Sequence, residues 1–147
     1  MAEFSFKIEV NAPVDVVFDI YADPVYENKW KGDLELKELI SGKADEVGAR
    51  FKCKHKDIGS IKDFFVIEEL YSYKKNEEHA VRIRDKDGEE SRQVKFHQEE
   101  DLTIMEVTLR CRNKNFLSRI SKDYLFMFIH KRVSYDYFQK LKRIIEA

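Results

Sequence analysis

From Phe116 to Ala147 the chain reads as one helix, and no other feature constrains the fold as strongly. Ile120, Tyr124, Met127, Phe138, Leu141 and Ile145 fall in one apolar stripe at ~100° per residue, and neither glycine nor proline interrupts the run. A rod of some thirty residues extends ~45 Å at ~1.5 Å per residue. Its stripe requires an apolar surface of matching length, which the remaining residues have to supply.

The rest of the sequence reads as strands and two short helices. Phe4, Phe6, Ile8 and Val10 alternate with Ser5, Lys7 and Glu9, the period of a half-buried strand. Next comes "NAPVDVVFDIYADPVYENKW", residues 11–30, with both prolines and the single tryptophan. Asn11 is suited to cap a helix and Pro13 to its first turn. Val14, Val17, Phe18 and Tyr21 form one stripe, Asp23-Pro24 stops it, and a second helix runs from Pro24 towards Trp30. Beyond Gly32, six further strands are predicted. Leu34 to Ile40 slips its alternation at Leu39, the mark of a bulge. Phe51, Cys53 and His55 share one face, whereas "FFVIEELY" within Lys62 to Tyr71 leaves the buried face open. Val81 and Ile83 point inward, Val94 and Phe96 share a face, and Met105, Val107, Leu109 and Cys111 alternate with polar neighbours. Glycine-containing and polar turns separate them, "DKDGEE" being the clearest. The order predicts one α+β domain, residues 1–147, in which an antiparallel sheet carries the long helix on its apolar face.

Composition narrows the function classes. Of the 147 residues 43% are hydrophobic and 37% charged, and no apolar run approaches the roughly 20 residues of a membrane span. Stable membrane insertion is not expected, and the opening "MAEFSFKIEV" lacks the positive charge of a signal peptide, so a cytoplasmic location is expected. Cys53 and Cys111 belong to no C-x-x-C motif and read as small buried hydrophobes. The four histidines, His55, His79, His97 and His130, form no spaced ligand set, so neither a metal nor a cofactor is expected. Net charge is −1, and no basic face with interleaved aromatics suggests nucleic acid. From Lys114 onward, however, the balance is +5; this is either a solvated helix face or, through Lys140 and Lys142, a contact for an acidic partner. No nucleophile elbow, phosphate loop or H-E-x-x-H helix is present, and no residue is marked as catalytic.

The stretch "FSFKIEVNAPVDVVFDIYADPVYENKW", then "ELISGKADEVGARFKCKH" and the terminal helix together resemble the START-like (SRPBCC) superfamily, and within it the polyketide cyclase/dehydrase-type bacterial proteins. The resemblance spans essentially the whole chain and implies a helix-grip fold: a seven-stranded antiparallel β-sheet wrapped around a long C-terminal α-helix, with two short helices after strand 1 sealing one end. It also implies an interior cavity for a lipid-, sterol- or polyketide-like molecule. The family has no universal catalytic motif to carry over.

Parity and the helical wheel then name the candidate ligand-binding residues. Phe51, Cys53, Val81, Ile83, Phe96, Met105, Val107, Tyr124 and Met127 supply an apolar lining. Trp30 serves there as a packing anchor or a ligand contact. Lys131 and Ser134 lie on the helix stripe, where Lys131 either meets a ligand carboxylate or enolate or extends its ammonium to water. His55 has inward parity and suits acid–base work. One of Glu68 and Glu69 must face inward, as a base or a partner for Lys131. The leading expectation is binding of a small hydrophobic molecule. A cyclase or dehydratase using Lys131, His55 or Glu69 is the second, and an interaction or stress-response protein the third.

Overall fold

Alternation in the sequence becomes strand pairing in a computed structural model, which describes residues 2–56, 64–84, 88–113 and 116–147, with side chains except at 2, 64 and 113–130. Strand β1 (Ala2–Val10) is followed by helices α1 (Val14–Ala22) and α2 (Pro24–Trp30). Six strands come next, β2 (Leu34–Ser41), β3 (Arg50–His55), β4 (Phe64–Lys74), β5 (Glu78–Arg84), β6 (Gly88–Glu99) and β7 (Leu102–Asn113), and then helix α3 (Phe116–Glu146). They form one antiparallel sheet in the order β1-β7-β6-β5-β4-β3-β2, gripping the long helix as expected. The loop at 57–60 and the first half of the "DKDGEE" turn, residues 85–87, lie outside the described residues.

Three register shifts among the described residues decide which side chains face the helices. The bulge expected at Leu39 is present, between Leu39 and Ser41. A second lies between Leu34 and Leu36, and a third between Leu70 and Ser72. A bulge adds one residue to its strand and so exchanges the two faces. Leu34 is therefore buried while Leu36 is 54% exposed, and the ammonium of Lys37 turns inward in its place. The turn entering β3 depends on Gly42, at φ 77°, where an added Cβ would sit 3.1 Å from Ala49 Cα.

The two short helices fold as the sequence suggests, but α1 is capped differently. Asn11 is not the cap: its N–H donates to Glu146 Oε2 of α3 (3.1 Å), and Pro13 precedes the first helical residue. The N–H of Val14 donates instead to Gln98 Oε1 of β6, 3.0 Å away, so a residue 84 positions distant satisfies the helix end. In α2, Asp23 Oδ1 accepts from the Val25 N–H at 2.9 Å, and Pro24 takes the first helical position. Val17, Phe18 and Tyr21 bury the α1 stripe.

Helix α3 packs on β1, β7, α1 and α2. Phe138 and Leu141 are fully buried in a core with Ile8, Val10, Met105 and Val107. Lys131 stands two turns before Phe138 on the same stripe, yet it is exposed and Ser134 only half-buried. The wheel places a residue relative to its own helix and carries no information about what faces it. Among the described residues no helix is long and apolar enough to cross a membrane.

Candidate functional site

The apolar candidates occupy inward positions but divide between two clusters. Phe96, Met105, Val107 and Trp30 join the core under the helices. Phe51, Cys53 and Val81 belong to a second cluster, with Leu34, Ala49 and Leu70, on and beside β2 to β5. Ile83 is half-buried, and the side chains of Tyr124 and Met127 lie outside those described. At the α1–α2 end the interior is filled by rings: Trp30 stacks on Tyr21 (5.7 Å) and tilts on Phe138 (5.4 Å), while Phe96 meets Phe18 edge-on (5.0 Å). Trp30 is thus a packing anchor at this end.

A network of four charged side chains lies inside the fold. Lys37 Nζ of β2 donates to Glu68 Oε1 of β4 at 2.8 Å and lies 2.8 Å from Glu27 Oε2 of α2. Arg92 of β6 donates through Nη2 to Glu27 Oε1 (3.3 Å) and through Nε to the Tyr21 hydroxyl (2.9 Å), its guanidinium over the Trp30 ring at 5.6 Å. The side chains of Lys37, Glu27 and Glu68 are each no more than 6% exposed, and that of Arg92 is 12% exposed. Burial alone would push both carboxyls up, but Lys37 above all outweighs it and holds them below the ordinary glutamate range. Burial would likewise lower Lys37, yet Glu68 and Glu27 keep its ammonium above the usual lysine value. Two positive and two negative groups therefore stay charged and compensate one another. The same surroundings, burial first and Glu68 second, push the Cys53 thiol up to about 12, which leaves it protonated and unreactive.

Sequence reasoning missed Glu27, Lys37 and Arg92 and recognised Glu68 only as one of two neighbours. Glu68 pairs with Lys37, not Lys131. Glu69 faces the other side of the sheet, where Arg82 Nη2 donates to its Oε1 at 2.6 Å, so it is unsuited to act as a base inside the fold.

His55, at the end of β3, is buried beside a second polar group. Its Nδ1 lies 3.2 Å from Asp33 Oδ2, and the Tyr137 hydroxyl of α3 donates to Asp33 Oδ1 at 2.9 Å. The contact with His55 first, and with Tyr137 after it, holds the Asp33 carboxyl at about 2. Because this carboxylate can only accept, His55 Nδ1 carries the proton. Burial and then Asp33 push the Tyr137 phenol up to about 12. His79, buried among Phe18, Tyr21 and Tyr73, is held down at about 4, by burial first and Arg92 second, and is neutral near pH 7. Its Nδ1 and the Trp30 Nε1 are buried without a hydrogen-bond partner among the described residues.

Similar architectures occur in solved structures. A START superfamily protein from Mycobacterium smegmatis superposes with a TM-score of 0.78 at 12% identity, covering 99% of this chain and 98% of that one. A major latex-like protein from Panax ginseng gives 0.73 at 9% identity over 99% and 98%. A conserved protein from Geobacillus kaustophilus gives 0.74 at 18% identity over 97% and 94%. At such identities the similarity is one of fold, and the fold is the START-like helix grip. No family model and no curated protein matches the sequence.

Proposed function

We propose that the chain binds a small hydrophobic molecule between the sheet and its helices. The observation carrying this reading is the second apolar cluster, Leu34, Ala49, Phe51, Cys53, Leu70 and Val81, which is separate from the ring-filled core under α1 and α2. It adjoins the charge network, since Lys37 lies over the Phe51 ring at 4.7 Å. An apolar surface with a few oriented polar groups beside it suits a ligand that is mostly hydrocarbon. Withdrawing ~200 Å² of such a ligand from water at ~25 cal/mol per Å² gives about 5 kcal/mol before the costs of association. Native mass spectrometry against fatty acids, sterols and aromatic polyketides is expected to show one-to-one complexes. Protein that remains empty across the panel overturns the reading.

The Asp33–His55–Tyr137 arrangement favours a second reading, a cyclase or dehydratase in which His55 moves a proton on a bound substrate. Asp33 fixes the tautomer of His55, the usual office of a carboxylate behind a catalytic imidazole. Turnover of a polyketide-like substrate is then expected to vanish in His55→Gln with binding intact, and equal turnover in both proteins contradicts it.

A further inference from the structure

The charge network contains a carboxylate held imperfectly between two cations. Glu27 bridges Lys37 and Arg92 with its two oxygens, and it is the only member of the four contributed by a helix. Its hold is uneven: Oε2 lies a close 2.8 Å from Lys37 Nζ, whereas the Arg92 side is loose. The bond from Arg92 Nη2 to Oε1 is long at 3.3 Å, against the ~2.7–2.9 Å of a good charged pair. Oε2 is fully buried and close to Lys37 Nζ, yet it receives no well-aligned hydrogen bond among the described residues. Trp30 Nε1, three residues along the same helix, is likewise buried without a partner. Arg92 directs one bond at Tyr21 and one at Glu27, although a guanidinium can grip a carboxylate with two parallel bonds.

Buried ion pairs contribute little to stability compared with apolar side chains of the same volume. This network also stands on the inner side of the sheet, next to Phe51 and Cys53, where the sequence otherwise places apolar groups. The bulge between Leu34 and Leu36 is what brings Lys37 there in place of leucine.

We infer that the gap between Lys37 and Arg92 is a carboxylate site, which Glu27 occupies as a stand-in for the carboxylate of a hydrophobic acid. The inference rests on the proposed binding function and names its ligand class. A bound acid places its carboxylate on Lys37 and Arg92 and its hydrocarbon along Phe51 and Cys53. Glu27 leaves with α2 towards solvent, where ionisation costs it nothing. Because one carboxylate replaces another, the interior keeps its charge balance, and a neutral alcohol of the same length cannot make this exchange.

Dodecanoate and dodecanol, titrated calorimetrically into the wild type and two variants, test the exchange. Wild type is expected to prefer dodecanoate. Glu27→Gln empties the site of its resident charge and is expected to raise dodecanoate affinity about ten-fold or more, a gain larger than any change for dodecanol. Glu68→Gln removes the same charge but leaves Glu27 in place, and is expected to stay within about three-fold of wild type. Equal gains in the two variants, or no gain in Glu27→Gln, overturn the carboxylate site while binding itself stands. Failure of both molecules to bind any of the three proteins overturns the binding function and the site together. Should Glu27→Gln not fold, hydrogen exchange on the wild type decides instead. Dodecanoate is expected to speed exchange across Tyr26 to Trp30, and unchanged or slowed exchange there overturns the inference.

Discussion

Lys37 holds two buried carboxylates, Glu27 and Glu68, each 2.8 Å from its Nζ. Removing it leaves two negative charges facing each other away from water. Lys37→Met is therefore expected to destabilise the fold by about 3–5 kcal/mol in urea titration. Lys142→Met, which removes only a half-exposed pair to Glu146 at 4.0 Å, is expected to cost less than about 1 kcal/mol. Similar losses in the two variants would contradict the placement of the network. His79 supplies a pH test. Its pKa is about 4 in the folded protein against 6.5 for a free imidazole, so between those values the unfolded chain binds a proton that the folded chain does not. Stability is thus complete above pH 6.5 and falls on acidification towards pH 4, by up to about 1.4 kcal/mol per pH unit from this residue. His79→Phe should flatten that slope, and an unchanged slope refutes the assignment. Much of the network could have been read beforehand. Arg92 shares the parity of Val94 and Phe96, and Glu27 stands three residues before Trp30, on the same face of α2. Lys37 could not, because its inward turn depends on a bulge that interrupts the Leu34–Leu36 alternation.

Elements form where local chemistry and long-range contacts agree. The Asp23-Pro24 pair stops α1 and starts α2 by a local cap, so Asp23→Ala is expected to cost about 1 kcal/mol in thermal unfolding. A change below the resolution of the measurement would show that α2 is held by Glu27 and Trp30 alone. At the start of α1, Gln98 reaches across from β6, and no spacing within residues 11–14 announces it. Lys131 gives the same lesson on α3. Its place on the stripe was legible, but its exposure depends on what stands opposite. Strand identities were more accessible, because alternation is a property of each strand by itself. Where that alternation was interrupted, at Leu34 and at Leu70, the inward face had to come from the structure.

At the level of the whole molecule, the uninterrupted terminal helix made the architecture legible, because only a broad apolar sheet can cover such a stripe. The contents of the interior were less accessible. Composition suggested an apolar lining, whereas the folded chain gathers rings at the α1–α2 end and sets four charges beside the apolar cluster of β2 to β5. Trp30 adjoins these charges and is the only tryptophan in the chain, so its emission reports on this region alone. The most direct measurement is the emission of Trp30 during titration with dodecanoate. A saturable shift at one equivalent, absent with acetate, is the expected result. A spectrum that never changes, or drifts without saturation, would contradict binding of a hydrophobic guest inside this fold.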